Sequence, residues 1–479
     1  MADTSNPTGG TKVLRYPTEY QLSLLNLYTS MQGESVVNLI PFLMELNLFE
    51  DIYGNTISGQ LMLSDAVGLI SNFSLSGNEF IQIKLQKTEG DEFALTRNFR
   101  VYKISNRSPA DNNDYELYTL NFVSEEFLVS EQYRISKSYK GKKVSEIITD
   151  ILQNYLKVGS GKKKQMSISE TQGTYDFILP NKKLFETINW LSSYALPKAG
   201  VGEGADMIFF ENSDGYWFKS LQELYAQGIY RTYRFDPKNL SNQKIDAQLA
   251  NVYKFEILNL FDTLSAIKNG TFSNRVITID PLLRKVKTTD FNYDDYSKKA
   301  TKINGYSLTN NYKNRMNKTM YDAPPADLNH GTLRMVTSNS EQKKSAFVTG
   351  KTGGPNYVGS DIFIEKYMPN RVAQIALANY VRIKITIAGD PFISVGRIVD
   401  FETLKDNPNA SFSKTGSSPA RARDPMLSGK YLVTAVRHIV RNNSYITVLE
   451  LCKDSFEEKM SSFNTGDGTL QSLVNGEQL

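Results

Sequence analysis

The sequence predicts a β-rich α+β protein of several domains, with antiparallel β structure near both ends and a mixed α/β region between them. Three observations carry that expectation. The aromatics are biased toward strand formers, with 27 Tyr and 25 Phe against 2 Trp. Apolar and polar residues alternate with period two near residues 81–101 and again near 381–435, whereas three- and four-residue spacing is confined to the middle of the chain. A chain of 479 residues is also long enough for roughly two to four cores.

Taken in order, residues 1–12 (MADTSNPTGGTK) have neither a basic start nor an apolar run, so they read as a flexible arm and not as a secretion signal. The apolar stretch 36–49 is broken by Asn38, Pro41, Glu45 and Asn47 and falls short of the ~20 apolar residues of a bilayer span, so a soluble chain without a membrane span is expected. The first β cluster has a strand at 57–63 ending at Asp65. A second strand follows, in which Ile81, Ile83 and Leu85 alternate with Gln82, Lys84 and Gln86. In a third, Phe99 and Val101 flank Arg100, and a fourth runs over 115–122 after the polar turn 111–114.

In the middle, Val144, Ile147, Ile148, Ile151, Leu152, Tyr155 and Leu156 predict an amphipathic helix over 144–157. Asn181 is placed to cap a second helix carrying Leu184, Phe185, Ile188 and Leu191. A hairpin is expected where 207–210 and 216–218 flank Asn212-Ser213-Asp214-Gly215, and Trp190 and Trp217 should anchor the packing here. Residues 310–356 and 405–426 read as long polar loops. The closing cluster then repeats the opening one in order: a strand at 381–387 ending at Asp390, a strand entered through 394–401, a third at 431–436, a turn at 441–444 and a fourth at 445–451. This predicts one β design used twice, against the plainer view that any two antiparallel segments look alike.

The formal charge of +4, from 55 basic and 51 acidic residues, is too small an excess to predict a nucleic-acid-binding surface. The single cysteine, Cys452, excludes an internal disulfide, and its place in the alternating run 446–452 predicts a buried strand residue over a catalytic thiol. Gly350-Lys351-Thr352 ends like a phosphate-binding loop, but Ser345 replaces the first glycine and Gly353-Gly354-Pro355 stands where a helix must begin. Gly159-Ser160-Gly161-Lys162 fails at Leu156 and Lys163. With only His330 and His438, neither a Ser/His/Asp set nor a zinc pair can be assembled; His438 reads as a strand-end or interface residue. Asp294-Asp295 and Glu125-Glu126 are sequence neighbours, expected on a solvated surface and not across a hydrolytic cleft. No EF-hand spacing occurs. No catalytic, cofactor-binding or metal-binding residues are therefore expected, and no cofactor.

Three groups of residues point further. One is Leu179-Pro180-Asn181-Lys182-Lys183-Leu184-Phe185 leading to Trp190-Leu191, with Phe209-Phe210-Glu211-Asn212 and Gly215-Tyr216-Trp217-Phe218-Lys219-Ser220-Leu221. The second is Phe255-Glu256-Ile257-Leu258 with Phe261-Asp262-Thr263-Leu264, running through Asn269-Gly270 and Thr278-Ile279-Asp280 to Asp290-Phe291-Asn292-Tyr293. The third is Ile387-Ala388-Gly389-Asp390-Pro391 with Val395-Gly396. With these, the chain resembles the baseplate central hub protein of contractile-tailed (myovirus) bacteriophages, a family related to the hub half of type VI secretion spike proteins. The resemblance extends over most of 16–456, and its motifs are packing and turn signatures.

The resemblance implies two tail-tube-like antiparallel β-barrels over 1–130 and 365–460, an intervening α/β region over 131–364, and a tail at 461–479; the hairpin at 205–222 is a candidate to join the second barrel. It implies a structural, non-enzymatic role: a homotrimeric ring of pseudo-sixfold symmetry adapting a hexameric tail tube to a trimeric cell-puncturing spike. Implied partners are further copies of the chain, tail tube or tube-initiator proteins, the central spike protein, baseplate wedge proteins and the tape-measure protein, with DNA passing through the lumen without sequence-specific binding. The implied location is the virion tail baseplate, assembled in the host cytoplasm, with puncturing and lytic functions on a separate spike chain. Two rivals stand beside this reading: a tail-associated glycan-degrading enzyme, which needs an acidic cleft, and a receptor-binding tail protein, which needs affinity for host surfaces.

Overall fold

The alternating runs at both ends of the sequence become strands of one large sheet. The computed structural model describes residues 18, 20–28, 36–72, 75–86, 95–109, 114–159, 164–198, 205–236, 248–280, 284–307, 333–337, 364–404, 423–441 and 444–457. The opening part supplies β1 (Gln21–Tyr28), β2 (Val36–Asn38), β3 (Leu43–Asp51), β4 (Ser58–Asp65), β5 (Phe80–Gln86), β6 (Leu95–Pro109) and β7 (Glu116–Ser124). The middle holds α1 (Glu125–Gln132), α2 (Val144–Asp150), β8 (Gln165–Ile168), α3 (Leu184–Ser192), β9 (Met207–Glu211), β10 (Gly215–Ser220), β11 (Ile229–Phe235), β12 (Val252–Asn259), β13 (Ser273–Asp280), β14 (Lys285–Asn292) and β15 (Leu333–Thr337). The closing part has α4 (Ile364–Ala378), β16 (Val381–Ala388), β17 (Ile398–Thr403), β18 (Gly429–Arg441) and β19 (Ser444–Lys453). In β16 the link from pattern to burial is direct: Val381, Ile383, Ile385 and Ile387 are all fully buried, while Arg382, Lys384 and Thr386 point to the other face.

The sheet runs β12-β16-β19-β18-β3-β4-β7-β6-β5-β1-β2, with β17 beside β18 and β11 beside β17. Every pairing in it is antiparallel except β11 with β17. One strand order occurs twice, as β4-β7-β6-β5 and as β16-β19-β18-β17, and β3 flanks β4 as β12 flanks β16. The irregularities recur as well. The ladder skips a residue between Leu43 and Glu45 of β3, and at the same place between Val252 and Lys254 of β12. It skips again between Val101 and Lys103 of β6, and correspondingly between Val433 and Ala435 of β18. Since a bulge bends and twists its strand, matching bulges give the two units matching curvature.

Register makes Gly59, Phe122 and Val101 the counterparts of Ile383, Leu451 and Val433. The volumes trade across the pair: a Cβ on Gly59 would lie 2.3 Å from the Phe122 ring, whereas the other unit sets Ile383 opposite the smaller Leu451. Beneath the first unit lies a core of Leu46, Leu61, Leu120, Phe122 and their neighbours; beneath the second, one built on Ile385, Val433, Leu449 and Phe401.

The middle region has its own core, around Ile147, Ile148, Leu184, Ile188, Phe209 and Tyr216. The helix expected over 144–157 starts as α2 and continues as a π-helical turn at Ile151–Tyr155, and Lys157, at φ 55°, ends it. Asn181 is not the cap of α3. It occupies a left-handed turn at φ 49°, which asparagine tolerates, and Lys183 holds the cap position without a side-chain bond. The orphan N–H of Phe185 instead donates to the Ser130 hydroxyl of α1, 3.0 Å away. β9 and β10 form the expected hairpin, which with β8 makes a separate three-stranded sheet. Its Ile208 and Phe210 pack in the core under the second unit, while Phe209 stacks on Tyr216 in the middle core. Trp190 packs edge-on against Phe177 and Tyr194, and Trp217 lies half-buried against Phe210. The arm at 1–12, the tail at 461–479 and the loops at 310–356 and 405–426, apart from β15 and residues 423–426, lie outside the described residues.

Candidate assembly surfaces

Three features of this sheet could serve assembly: the join between its two units, its polar face, and its open edges. The join is β18 against β3, in register from Ala435 opposite Asp51 to Arg441 opposite Glu45. Arg441 Nε donates to Glu45 Oε2 at 2.5 Å, and Arg437 Nε donates to Asn47 Oδ1 at 2.9 Å while its guanidinium lies over the Phe49 ring. Burial would raise the Glu45 carboxyl, but the hydrogen bonds from Arg441 and Asn47 and the neighbouring Arg charges outweigh it and hold Glu45 below its ordinary value. The closing unit also contributes apolar surface, because Val440 and Tyr445 sit in the core of the opening unit beside Leu46 and Leu48. His438 is part of this join and not a strand end. It is buried mid-ladder opposite Leu48, its Nδ1 lies 2.8 Å from the Tyr445 hydroxyl, and burial lowers it to about 4, so the ring is neutral.

On the polar face, Lys254, Glu256, Lys384, Glu450, Arg437 and Phe49 line a groove of about 490 Å³ that crosses from β12 to β3. Charges in and around this groove are paired: Arg382 with Glu450 at 2.6 Å, Arg437 and Arg441 with Glu45, and Lys254 with Glu256 at 3.9 Å. In the opening unit the same face carries Gln60, Asn121 and Ser105, and Asn121 donates to the Ser105 hydroxyl at 2.7 Å.

Besides the short β2 at the far end of the sheet and the outer side of β11, two edges stay open among the described residues. β11 bridges Asn251 just ahead of β12, through Arg234, but no strand pairs the outer side of β12 itself, where Tyr253, Ile257 and Leu258 are 40–45% exposed. On β6, residues 95–100 pair with β5, but beyond Val101 that side of the strand is bare and Tyr102 is 51% exposed.

A buried ion cluster ties the opening unit to the middle region. Lys164 Nζ lies 2.5 Å from Glu126 Oε2 on α1 and 2.7 Å from Glu211 Oε1 on β9, and Glu211 Oε2 accepts from the Ile57 N–H ahead of β4. Burial alone would lower the ammonium, and the two carboxylates more than offset this, raising it above its ordinary value. Half of the Glu125-Glu126 pair is therefore structural: Glu126 belongs to this cluster, while the more exposed Glu125 meets Arg100 at 3.3 Å. No sequence motif marked Lys164; the nearest signal was the failed phosphate loop beside it.

The remaining sequence candidates do not converge. Cys452 is fully buried in β19 and its thiol is pushed far up by burial. Asp295 pairs with Lys298 at the surface. Gly159 ends a turn, and residues 160–163, His330 and Gly350-Lys351-Thr352 lie outside the described residues. Among the described residues, no group of three or more His, Cys, Asp or Glu could hold a metal ion, and no helix is long and apolar enough to cross a membrane.

Relatives agree with this architecture. The chain is 21% identical over 419 residues, 86% of its own length and 89% of the relative's, to the probable baseplate hub protein gp334 of Vibrio phage KVP40. This chain is similar to a phage baseplate hub protein. The resemblance read from the sequence therefore stands, over most of the chain. Two crystal structures share the fold: the tail protein from Neisseria meningitidis (TM-score 0.52, 9% identical, covering 90% of this chain and 96% of that one) and the 43 kDa tail protein of prophage MuSo2 from Shewanella oneidensis (TM-score 0.50, 6% identical, covering 90% and 99%). No family model matches the chain.

Proposed function

We propose that this chain is a structural, non-enzymatic hub of a phage tail baseplate, in which three copies form a ring of pseudo-sixfold symmetry between a hexameric tail tube and a trimeric spike. The observation that carries this reading is the twofold use of one strand order, bulges included, within a single sheet. Two like units per chain, times three chains, present six similar sites to a sixfold partner and three to a threefold one, and head-to-tail contacts close such a ring. Likeness along most of the chain to a baseplate hub protein supports the same role.

In this reading each unit is a tail-tube-like barrel, over 1–130 and 365–460. The second also draws on β12, and the hairpin at 205–222 braces it from the 131–364 region. The polar sheet face lines the lumen. Its paired charges leave little sustained positive potential to hold phosphates, which suits a duct through which DNA and a tape-measure protein must slide. Wedge proteins dock outside, with 310–356 and 405–426 as contact segments, in a baseplate assembled in the host cytoplasm.

The test is binding by the purified full chain to the tube, spike and wedge proteins of its own phage, run beside binding to host cells and turnover of host glycans. Binding to tube and spike without host binding is the expected result. Host binding without tube or spike binding would place the chain among receptor-binding proteins. Glycan hydrolysis abolished by a single carboxylate substitution would make it an enzyme.

A further inference from the structure

The open edges of β12 and β6 each resemble one side of the internal join. β12 is the counterpart of β3, and the stretch of β6 beyond Val101 is the counterpart of the stretch of β18 that meets β3. We infer that β6 of one copy pairs with β12 of the next, so that the join made once inside the chain is repeated between chains. This rests on the hub reading and names the contact through which its copies associate.

Burial supports the match. Leu48, covered by β18, is 1% exposed, whereas its counterpart Ile257 on β12 is 45% exposed. Thr434 on β18 is 4% exposed, whereas its counterpart Tyr102 on β6 is 51% exposed. The edge of β12 thus has the composition of a covered strand and lacks the cover, while the bare stretch of β6 offers Tyr102 and Ile104 among polar residues, and an apolar open edge is one that natural sheets protect or pair.

Register supplies an independent argument. β6 carries one residue more than β18, in an irregularity between Ser105 and Ser108 that includes Asn106 at φ 54°. β12 carries one residue more than β3, between Ile257 and Asn259. When the register of the internal join is carried onto these strands, the two extra residues fall opposite each other. The ladder then runs without interruption: Ser105 opposite Asn259, Arg107 opposite Ile257, Ser108 opposite Glu256. Pro109, which has no N–H to give, ends it. Two insertions that cancel only across a contact between copies have no such compensation within one chain.

The experiment uses the full chain with paired cysteines. Cys452 is buried and its thiol is pushed up, so it contributes little background. Ser108→Cys with Glu256→Cys places two exposed partners opposite each other; Ser108→Cys with Leu258→Cys is the out-of-register control, two residues away. Under mild oxidation the first pair should give disulfide-linked oligomers, and the control and each single variant should not. Ile257→Asp, at an exposed site, should lower the mass by light scattering about threefold while leaving the circular dichroism spectrum unchanged. If the chain self-associates without linking through the first pair, the edge pairing is wrong and the hub reading remains. If it neither self-associates nor links, the pairing is wrong as well, and binding to tube and spike decides the hub reading on its own.

Discussion

Replacing Lys164 with Met should destabilise the chain by about 3 kcal/mol at pH 7, for reasons that can be worked from the cluster itself. The Lys164 side chain is 11% exposed and Glu211 is 0% exposed, so methionine fills the space but leaves Glu211 with the Ile57 N–H as its remaining partner here apart from the distant Tyr216 hydroxyl. The protein contains its own gauge for that situation. Glu50 is buried, accepts one backbone N–H from Val395, and is pushed up to about 8, mainly by burial. A Glu211 stranded in the same way would take up a proton on folding, at a cost of about 3 kcal/mol at pH 7. This falls at the lower end of the roughly 3–5 kcal/mol found when one partner of a buried pair is removed. The sign follows from linkage: with the folded-state carboxyl raised above its unfolded value, the deficit should be small near pH 4.5 and grow as the pH rises toward 8. Urea unfolding of both proteins at pH 5 and pH 8 measures it. A deficit under about 1 kcal/mol at pH 8, or the same deficit at both pH values, refutes the reasoning.

Other substitutions probe separate parts of the sheet. Glu50→Gln should remove the loss of stability that Glu50 imposes between pH 6.5 and 8, about 2 kcal/mol, leaving a flatter profile there than wild type; an unchanged slope would mean Glu50 does not titrate in this range. Gly59→Ala should cost about 1–3 kcal/mol because its Cβ meets both the Phe122 ring and the Asn47 carbonyl. Adding Phe122→Leu, which copies the larger-with-smaller pairing of Ile383 and Leu451, should recover part of that in a double-mutant cycle, and strict additivity would count against equivalence of the two sites. Cys452 should resist thiol reagents until the chain unfolds; modification in native buffer would contradict its place in β19.

Much of the sheet was legible because half-buried strands write their burial into the sequence. β5, β16 and β19 alternate cleanly, and the order in which the closing strands repeat the opening ones could be read before any pairing was known. β3 was not legible as a strand. Both its faces are covered, Leu46 and Leu48 by the core and Glu45 and Asn47 by the arginines of β18, so no alternation in exposure separates its two sides. β12 is marked only by a family-like motif, because the adjacent Ile257 and Leu258, where its ladder skips a residue, break the alternation that would have marked a strand. The join of β18 with β3 links residues nearly four hundred positions apart, and nothing local announces such a contact. Lys164 and Glu126 were hidden for the same reason, since a buried ion pair reads in sequence like any surface charge. Asn181 was misread because the Ser130 hydroxyl, a tertiary neighbour, took the role a cap would have played.

Comparison of the two units shows which positions are free to differ. Core counterparts keep their character: Leu61 and Ile385, Leu63 and Ile387, Leu120 and Leu449, Val101 and Val433. Polar-face counterparts do not. Glu45 answers to Lys254, Asn47 to Glu256, Gln60 to Lys384 and Asn121 to Glu450. One of these changes selects among possible joins. Arg441 of β18 sits opposite Glu45 of β3; against β12 it would sit opposite Lys254, and like charges directly across a ladder cost roughly 0.2–1 kcal/mol instead of contributing it. β18 is thereby directed to β3 and away from β12, which leaves β12 to an edge without that arginine. β6 has Pro109 and Ser108 where β18 has Val440 and Ile439, and it carries no cation toward Lys254 at the end of the ladder. The charge difference therefore favours two alternating kinds of contact over one repeated kind, as the proposed ring of paired but unequal units would require. Glu45→Lys, by making the two acceptor strands alike, should weaken the internal join and lower the unfolding midpoint more at low salt than at high salt, whereas a salt-independent loss would assign the effect to packing.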